Sequence, residues 1–285
     1  MISDKQFQKE LDIIIANAIR EDVGDGDHSS LACIPADATG RAKLLVKDNG
    51  ILAGVDFAKQ VFAYVDPALK METFITDGSP VQHGDVVFHI TGSSQSILKA
   101  ERLVLNAMQR MSAIATKTKK YTELLKGTTT KILDTRKTTP GIRALEKWAV
   151  TIGGGKNHRF GLYDMIMLKD NHIDFAGGIT PAIQKTLGYL KAKGLDLKII
   201  VEARNLEEVR EIMENPGVHR ILLDNFDYEQ TREAVALIGD FCQTESSGGI
   251  NESNMREYAE CGVDYISSGA ITHSVYNMDL SLKAF

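Results

Sequence analysis

The stretch from Ile132 to Ile173, ILDTRKTTPGIRALEKWAVTIGGGKNHRFGLYDMIMLKDNHI, gathers Arg136, Lys137, Arg143, Lys147, Lys156, His158, Arg159, Lys169 and His172. The chain as a whole carries a formal net charge of −5, so this cationic concentration is local. Helix faces also collect Lys and Arg, but at helical spacing and with acids interleaved. Here the cations sit in Gly- and Thr-rich sequence after two short apolar runs, ILD and MIML, that read as buried strands. Cations held in loops at strand ends suit capture of an acidic substrate: a guanidinium fork matches carboxylate or phosphate, and an ammonium acts as a point charge. The plainer alternative is a basic surface loop.

Two further kinds of group belong with this set. Glu202 and Asp224 each follow a β-branched or leucine-rich run. Carboxylates beside cations serve either as ion-pair partners or as ligands of a Mg²⁺ shared with substrate phosphates, which needs one or two of them. Two glycine segments, SSGGI at Ser246 to Ile250 and SSGAITHS at Ser267 to Ser274, follow the last two strand-like runs. Such turns expose backbone amides to a phosphate. GGGK at Gly153 to Lys156 looks like a nucleotide-binding loop, but Asn157 stands where Ser or Thr is required and no strand precedes it. Lys169, behind DMIML, also admits a different chemistry, a Schiff-base aldolase of the barrel type.

The elements that must hold these groups are legible in the hydrophobic pattern. Ser3 followed by Gln6 is a capping box, and Phe7, Leu11, Ile14, Ile15, Ala18 and Ile19 repeat at helical spacing up to GDGD. Asp25 and Asp27 in that stop read as turn-forming acids rather than metal ligands. GRAKLLVKDNGILAG reads as strand and turn, VDFAKQVFAYVD as a helix, and METFITDGSPVQHGDVVFHITG as two strands about a Gly/Pro turn. This mixture lacks regular alternation and predicts an α+β unit. A long helix follows from about Ser96 to Leu125, with Ile97, Leu98, Leu103, Leu105, Met108 and Ile114 as core positions and Arg102 on a solvated face. From Lys131 the rhythm changes. KILD, DMIML, LKIIVEA, RILLDN, FCQTES and VDYISSG alternate with amphipathic stretches, and Thr180-Pro181 and Asn205 are helix starts. That alternation predicts a parallel sheet with right-handed crossovers, about six strands closing as a barrel. Its strands end in Asp134, Lys169, Glu202, Asp224, Glu245 and Ser267-Ser268, a polar rim where barrel chemistry occurs.

Composition bounds the reading. With 285 residues, 43% hydrophobic and 25% charged, the chain is expected to fold as one large or two modest globular domains. The opening residues lack a signal layout, and no apolar run approaches membrane-spanning length. Cys33, Cys242 and Cys261 form no CxxC pairing, which predicts a reducing, cytoplasmic setting. An acidic balance without a basic, aromatic-interleaved stripe speaks against nucleic acid.

LDTRKTTPG, GGGKNHRFGLYD and MLKDNH, in this order and spacing, resemble the quinolinate phosphoribosyltransferases, and the likeness runs from EDVGDGDHSS through SGGI to SGAITHS. The resemblance implies transfer of phosphoribosyl from phosphoribosyl pyrophosphate to quinolinate, with decarboxylation, giving nicotinate mononucleotide, pyrophosphate and CO₂. A paralogous pyrophosphorylase associated with molybdenum transport is the nearest alternative. In fold it implies an N-terminal α/β sandwich over residues 1–115, an incomplete (β/α) barrel over 116–270, and a tail, 271–285, returning to the first domain. Arg136, His158, Arg159 and Lys169 match quinolinate-binding positions. Lys137, Glu202, Asp224, Ser247, Gly248, Gly249, Gly269 and His273 match positions for the phosphoribosyl donor, with Glu202 and Asp224 also at Mg²⁺. Lys137, Lys169, Glu202 and Asp224 are the catalytic candidates. Arg102 matches a quinolinate ligand supplied by a partner subunit, which replaces the solvated-face reading and implies a homodimer at least. The serines in SSGG and SSGA stand where relatives often have alanine or another apolar residue.

Overall fold

The computed structural model of the chain describes residues 3–285. These fall into two compact units, one of residues 3–119, Lys137–Gly154 and Ile271–Phe285, the other of Lys120–Arg136 and Gly155–Ala270.

The first unit opens with α1 (Asp4–Val23). Ser3 caps it by accepting from the Gln6 backbone N–H at 3.3 Å, and Gly24, at φ 56°, ends it. Leu11, Ile14 and Ile15 are its buried stripe. The GDGD turn leads straight into a short helix, α2 (His28–Cys33), because Asp27 accepts from the Ser30 N–H at 3.1 Å and caps it. There follow β1 (Thr39–Val46), β2 (Gly50–Ile51), α3 (Val55–Val65), β3 (Lys70–Thr73), β4 (Pro80–Val81) and β5 (Val86–Ser93). β5 pairs antiparallel with both β1 and β3, while β2 and β4 form a separate ribbon. The stretch expected to give two strands thus gives three. The long helix is α4 (Ser94–Leu124). Ile97, Leu105, Met108 and Ile114 are buried on it, but Leu98 is 42% exposed. Leu98 and Arg102 stand one turn apart on the exposed face, which explains why Leu98 leaves the core.

The second unit is the barrel. Its strands are β6 (Lys131–Leu133), then, after α5 (Arg143–Ile152) of the first unit, β7 (Ile166–Leu168), β8 (Ile199–Ala203), β9 (Arg220–Asp224), β10 (Gln243–Ser247) and β11 (Tyr265–Ser267). The crossovers carry α6 (Asp170–Ala176), α7 (Ile179–Lys193), α8 (Leu206–Met213), α9 (Tyr228–Ile238) and α10 (Met255–Glu260). Asn205 caps α8 as its sequence implies; α7 is capped at Gly178, and the Thr180 hydroxyl instead donates to Glu211 at 2.9 Å. The six strands are parallel in the order β6-β11-β10-β9-β8-β7. The first strand closes onto the last, so the barrel is open at one seam, between the sequence neighbours β6 and β7. The chain between them lines the β6 edge: Lys156 N–H donates to Ile132 at 2.9 Å and the Asp134 N–H to Lys156 at 3.2 Å.

Register decides what faces inward. Met167 lies opposite Ile200, Ile200 opposite Arg220, Glu202 opposite Leu222, Leu222 opposite Glu245, Asp224 opposite Ser247 and Glu245 opposite Tyr265. Opposed residues of a parallel ladder share a face, as do residues two apart. Lys169, Glu202, Asp224 and Ser247 therefore share one face at the C-terminal strand ends, above an apolar plug of Met167, Ile200 and Leu222.

After the short α11 (Ala270–His273), β12 (Leu280–Ala284) pairs antiparallel with β1. The first unit's sheet thus reads β12-β1-β5-β3.

Candidate active site

At the barrel mouth, Lys169 follows β7 and caps α6, and its ammonium donates to Glu202 at 2.6 Å. Glu202 is buried to 5% exposure, so the pair is half in and half out of water. The nitrogen is held as an ion-pair donor rather than offered as a free nucleophile, which disfavours the aldolase reading. On the neighbouring strand Asp224 is half-buried, and the Asn225 side-chain amide donates to its Oδ2 at 2.8 Å. Asn225 is, among the described residues, the one non-glycine in left-handed backbone, at φ 57°. That conformation lets its N–H donate to the Ser247 carbonyl at 2.9 Å, tying the ends of β9 and β10 together.

Next to it Gly248 has no alternative. Its φ is 96°, and a Cβ there would stand 2.2 Å from Asn225 Oδ1 and 2.9 Å from its backbone nitrogen. Gly249 continues the left-handed backbone at φ 61°. Its carbonyl accepts from the side-chain amides of Asn251 and Asn254, each at 3.2 Å, which fixes the turn that follows β10. Ser268, beside Gly269, donates to the Ile250 carbonyl at 3.4 Å and joins the two glycine turns.

The seam supplies the cations. Asp134, fully buried at the end of β6, accepts from the His158 N–H at 2.8 Å. The Arg159 N–H donates to His158 Nδ1 at 2.7 Å, and the Arg159 guanidinium reaches across to the Met165 carbonyl at 3.3 Å. Asp164 turns the loop back by accepting from the N–H groups of Phe160 and Gly161, at 2.7 and 2.8 Å. Burial first, and then the charge of Arg136, push the Arg159 guanidinium below its ordinary pKa, while Asp164 pulls the other way. A buried guanidinium whose charge is opposed by a neighbouring cation makes a place where an anion is favourable.

In the first unit, Lys137 is exposed and its carbonyl accepts from the Thr272 hydroxyl at 2.9 Å. The fully buried Glu146 of α5 accepts from Arg110 Nε at 3.0 Å and from the Thr139 N–H and hydroxyl at 3.0 and 2.8 Å. Arg110 also donates to the Thr272 carbonyl. One carboxylate thereby anchors both the loop of Lys137 and the segment that carries His273, an exposed residue whose ring contacts Ser274 at 2.7 Å.

A family model described as the quinolinate phosphoribosyl transferase C-terminal domain matches residues 114–283, and that of the N-terminal domain matches residues 27–112. The chain belongs to the quinolinate phosphoribosyltransferase family. The chloroplastic nicotinate-nucleotide pyrophosphorylase (carboxylating) of Oryza sativa subsp. japonica is 45% identical, over 96% of this chain and 77% of the relative. A probable nicotinate-nucleotide pyrophosphorylase of Bacillus subtilis is 40% identical, over 92% of this chain and 89% of the relative. The crystal structure of NadC from Streptococcus pyogenes superposes with a TM-score of 0.89 at 36% identity, covering 100% of this chain and 99% of that one.

For a quinolinate phosphoribosyltransferase, the sequence-derived residues divide cleanly. Arg136, His158, Arg159, Lys169, Glu202, Asp224, Ser247, Gly248, Gly249 and Gly269 belong to the barrel unit; Arg102, Lys137 and His273 belong to the other. Of the remaining cations, Arg143 donates to Thr138 at 3.0 Å, Lys147 is buried on α5, and His172 Nδ1 accepts from the Lys169 N–H at 3.1 Å, so these serve local structure. Asp134 and Glu245 are expected at the rim from their places at the ends of strand-like runs. Both are fully buried, and Glu245 lies two residues below the true end of β10 at Ser247. Asn225, Arg110 and Glu146 carry no sequence motif that marks them. An Asn directly after a strand was the one available signal, since Asn tolerates left-handed backbone.

Proposed function

We infer that this chain is a quinolinate phosphoribosyltransferase, transferring phosphoribosyl from phosphoribosyl pyrophosphate to quinolinate and releasing pyrophosphate and CO₂. The observation that carries the reading is the buried Arg159 beside Arg136, at the mouth that also holds the Lys169–Glu202 pair. A flat dicarboxylate needs such clamps, because bidentate guanidinium contacts fix orientation as well as charge.

Arg136, His158, Arg159 and Lys169 are assigned to quinolinate, together with Arg102 of a second copy. Lys137, Glu202, Asp224, Ser247, Gly248, Gly249, Gly269 and His273 are assigned to the phosphoribosyl donor, the glycine turns to its 5′-phosphate. With both carboxylates held, the pyridine nitrogen attacks the ribose carbon as the bond to pyrophosphate breaks, and Lys137 and the amides offset the charge that develops. The adjacent carboxylate then leaves as CO₂, its electron pair passing to the cationic ring, and the ring carbon takes a proton. No general base is needed, since the attacking nitrogen carries no proton.

The donor set also fits Mg²⁺. Among the described residues no group of three or more metal-ligating side chains occurs, so a cage made by protein alone is absent. Glu202 and Asp224 share one face, and two carboxylates suffice for an ion that completes its shell with phosphate and water. The bound ion would neutralise the departing pyrophosphate.

The exposed Arg102, one turn from the exposed Leu98, supports a homodimer in which each copy lends this arginine to the other. Cys33, Cys242 and Cys261 are free thiols, in keeping with a reducing, cytoplasmic setting. No helix among the described residues is long and apolar enough to cross a membrane.

The deciding assay supplies quinolinate, phosphoribosyl pyrophosphate and Mg²⁺ and follows CO₂ and nicotinate mononucleotide together. Both should form in equal amounts, and turnover should cease in excess chelator. Absence of both products with Mg²⁺ present would overturn the assignment.

A further inference from the structure

Among the described residues, Glu245 is the one acid of the inner barrel face that lies below the mouth. It is fully buried, opposite Leu222 and Tyr265 in the ladder, among positions that barrels fill with apolar side chains. Its Oε2 accepts from Arg220 at 2.7 Å, and the Arg220 guanidinium in turn stacks over the Tyr265 ring at 4.0 Å. The same oxygen stands 3.4 Å from His158 Nε2, an electrostatic contact that is not aligned as a hydrogen bond. Burial alone would push this carboxyl up. The contact with His158 and the charge of Arg220 outweigh it and hold the value at about 2, so Glu245 is ionised. A buried ion pair is poor value for stability, because apolar residues of similar volume commonly do as well or better. Its contact with His158, which lies in the segment between β6 and β7, gives it another use.

His158 has its Nδ1 occupied by the Arg159 N–H at 2.7 Å, so that nitrogen is an acceptor and carries no proton. The ring proton must then sit on Nε2, the nitrogen that faces Glu245. Together with the Asp134 contact to the His158 N–H, this pins two successive backbone amides, one from each side. The Arg159 guanidinium leaves this anchored backbone and reaches Met165 on the far side of the seam. Without the carboxylate the imidazole could take the other tautomer, and its Nδ1–H would confront the Arg159 N–H.

We propose that Glu245 is a positioning residue: it fixes the Nε2–H tautomer of His158 and thereby holds Arg159 in place to clamp the carboxylates of quinolinate. This rests on the assignment of Arg159 to quinolinate made above, and it gives His158 a role through its neighbour's backbone in addition to any contact of its own.

The test joins spectroscopy to kinetics on the full-length enzyme. With ¹⁵N-labelled histidine, assigned by comparison with His158→Gln, the parent should show His158 Nε2 protonated and Nδ1 bare near neutral pH. Glu245→Gln should show a mixture of tautomers. Its KM for quinolinate should rise about tenfold or more while that for phosphoribosyl pyrophosphate stays within about twofold, because a merely weakened fold would not single out one substrate. A parent His158 bearing its proton on Nδ1 overturns the proposal, and that measurement needs no variant to fold. An unchanged quinolinate KM in a folded Glu245→Gln overturns it equally. If the parent fails to turn over the two substrates, it is the functional assignment that falls, whatever the tautomer.

Discussion

Arg159 and Glu245 show how much of the site depends on where a charge is buried. Arg159 is 8% exposed and directs one of its terminal nitrogens to a backbone carbonyl, so its fork is already oriented. Lysine cannot present two parallel N–H groups. Arg159→Lys should lower kcat/KM for quinolinate at least tenfold, about 1.4 kcal/mol, with the donor's KM little changed. A loss within about twofold in steady-state assays would remove Arg159 from the clamp. Glu245 makes a prediction about stability. Its carboxyl lies at about 2, below its ordinary value of 4.5, with burial opposed by His158 and Arg220. A group whose value is lower in the folded state than in the unfolded chain stabilises the fold above the unfolded value. That contribution fades as pH falls toward the folded one. Urea midpoints of the parent should therefore drop more steeply between pH 4.5 and about 2 than those of Glu245→Gln. Parallel curves would mean that the carboxylate is not ionised in the fold.

Among the elements, α5 does most to place groups it does not carry. Its Glu146 gathers Arg110 of α4, both donors of Thr139 and, through Arg110, the Thr272 carbonyl. Lys137 and His273, both assigned to the phosphoribosyl donor, ride on the segments so anchored. Glu146→Gln keeps the shape but leaves the Arg110 guanidinium without its countercharge. Breaking a buried pair from one side costs roughly 3 kcal/mol. We expect a drop of that order in urea unfolding, together with a raised KM for phosphoribosyl pyrophosphate and a nearly constant KM for quinolinate. If both KM values rise equally, α5 supports the fold in general and not the donor loops in particular.

For the whole molecule, the question is whether one copy makes a complete site. Arg102→Ala and Lys169→Ala should each be inactive yet fold and dimerise. Mixed and allowed to exchange, they should recover activity toward about a quarter of the parent's. One site of each mixed dimer inherits both lesions and the other neither, as two-fold symmetry requires. Subunit exchange seen by mass spectrometry without any recovery would place Arg102 within its own chain's site, or on the surface.

Hydrophobic period and turn chemistry are local, so the sequence alone determined the elements. The six barrel strands, the cap at Ser3, the long α4 and the strand-end placement of Lys169, Glu202 and Asp224 were all readable from neighbours a few residues away. The motifs around TRKTTPG and KNHRFG likewise pointed to the family before any coordinate did. What only the tertiary structure decided is pairing between distant parts of the chain. The closure of β6 onto β11 put the seam where His158 and Arg159 lie. Arg220 and Glu245, 25 residues apart, meet across neighbouring strands, and Asn225 fills the space that Gly248 leaves. Polar residues at strand ends look alike in a sequence. Whether such an acid meets solvent, substrate or a buried cation is set by the register of strands that the local pattern does not specify.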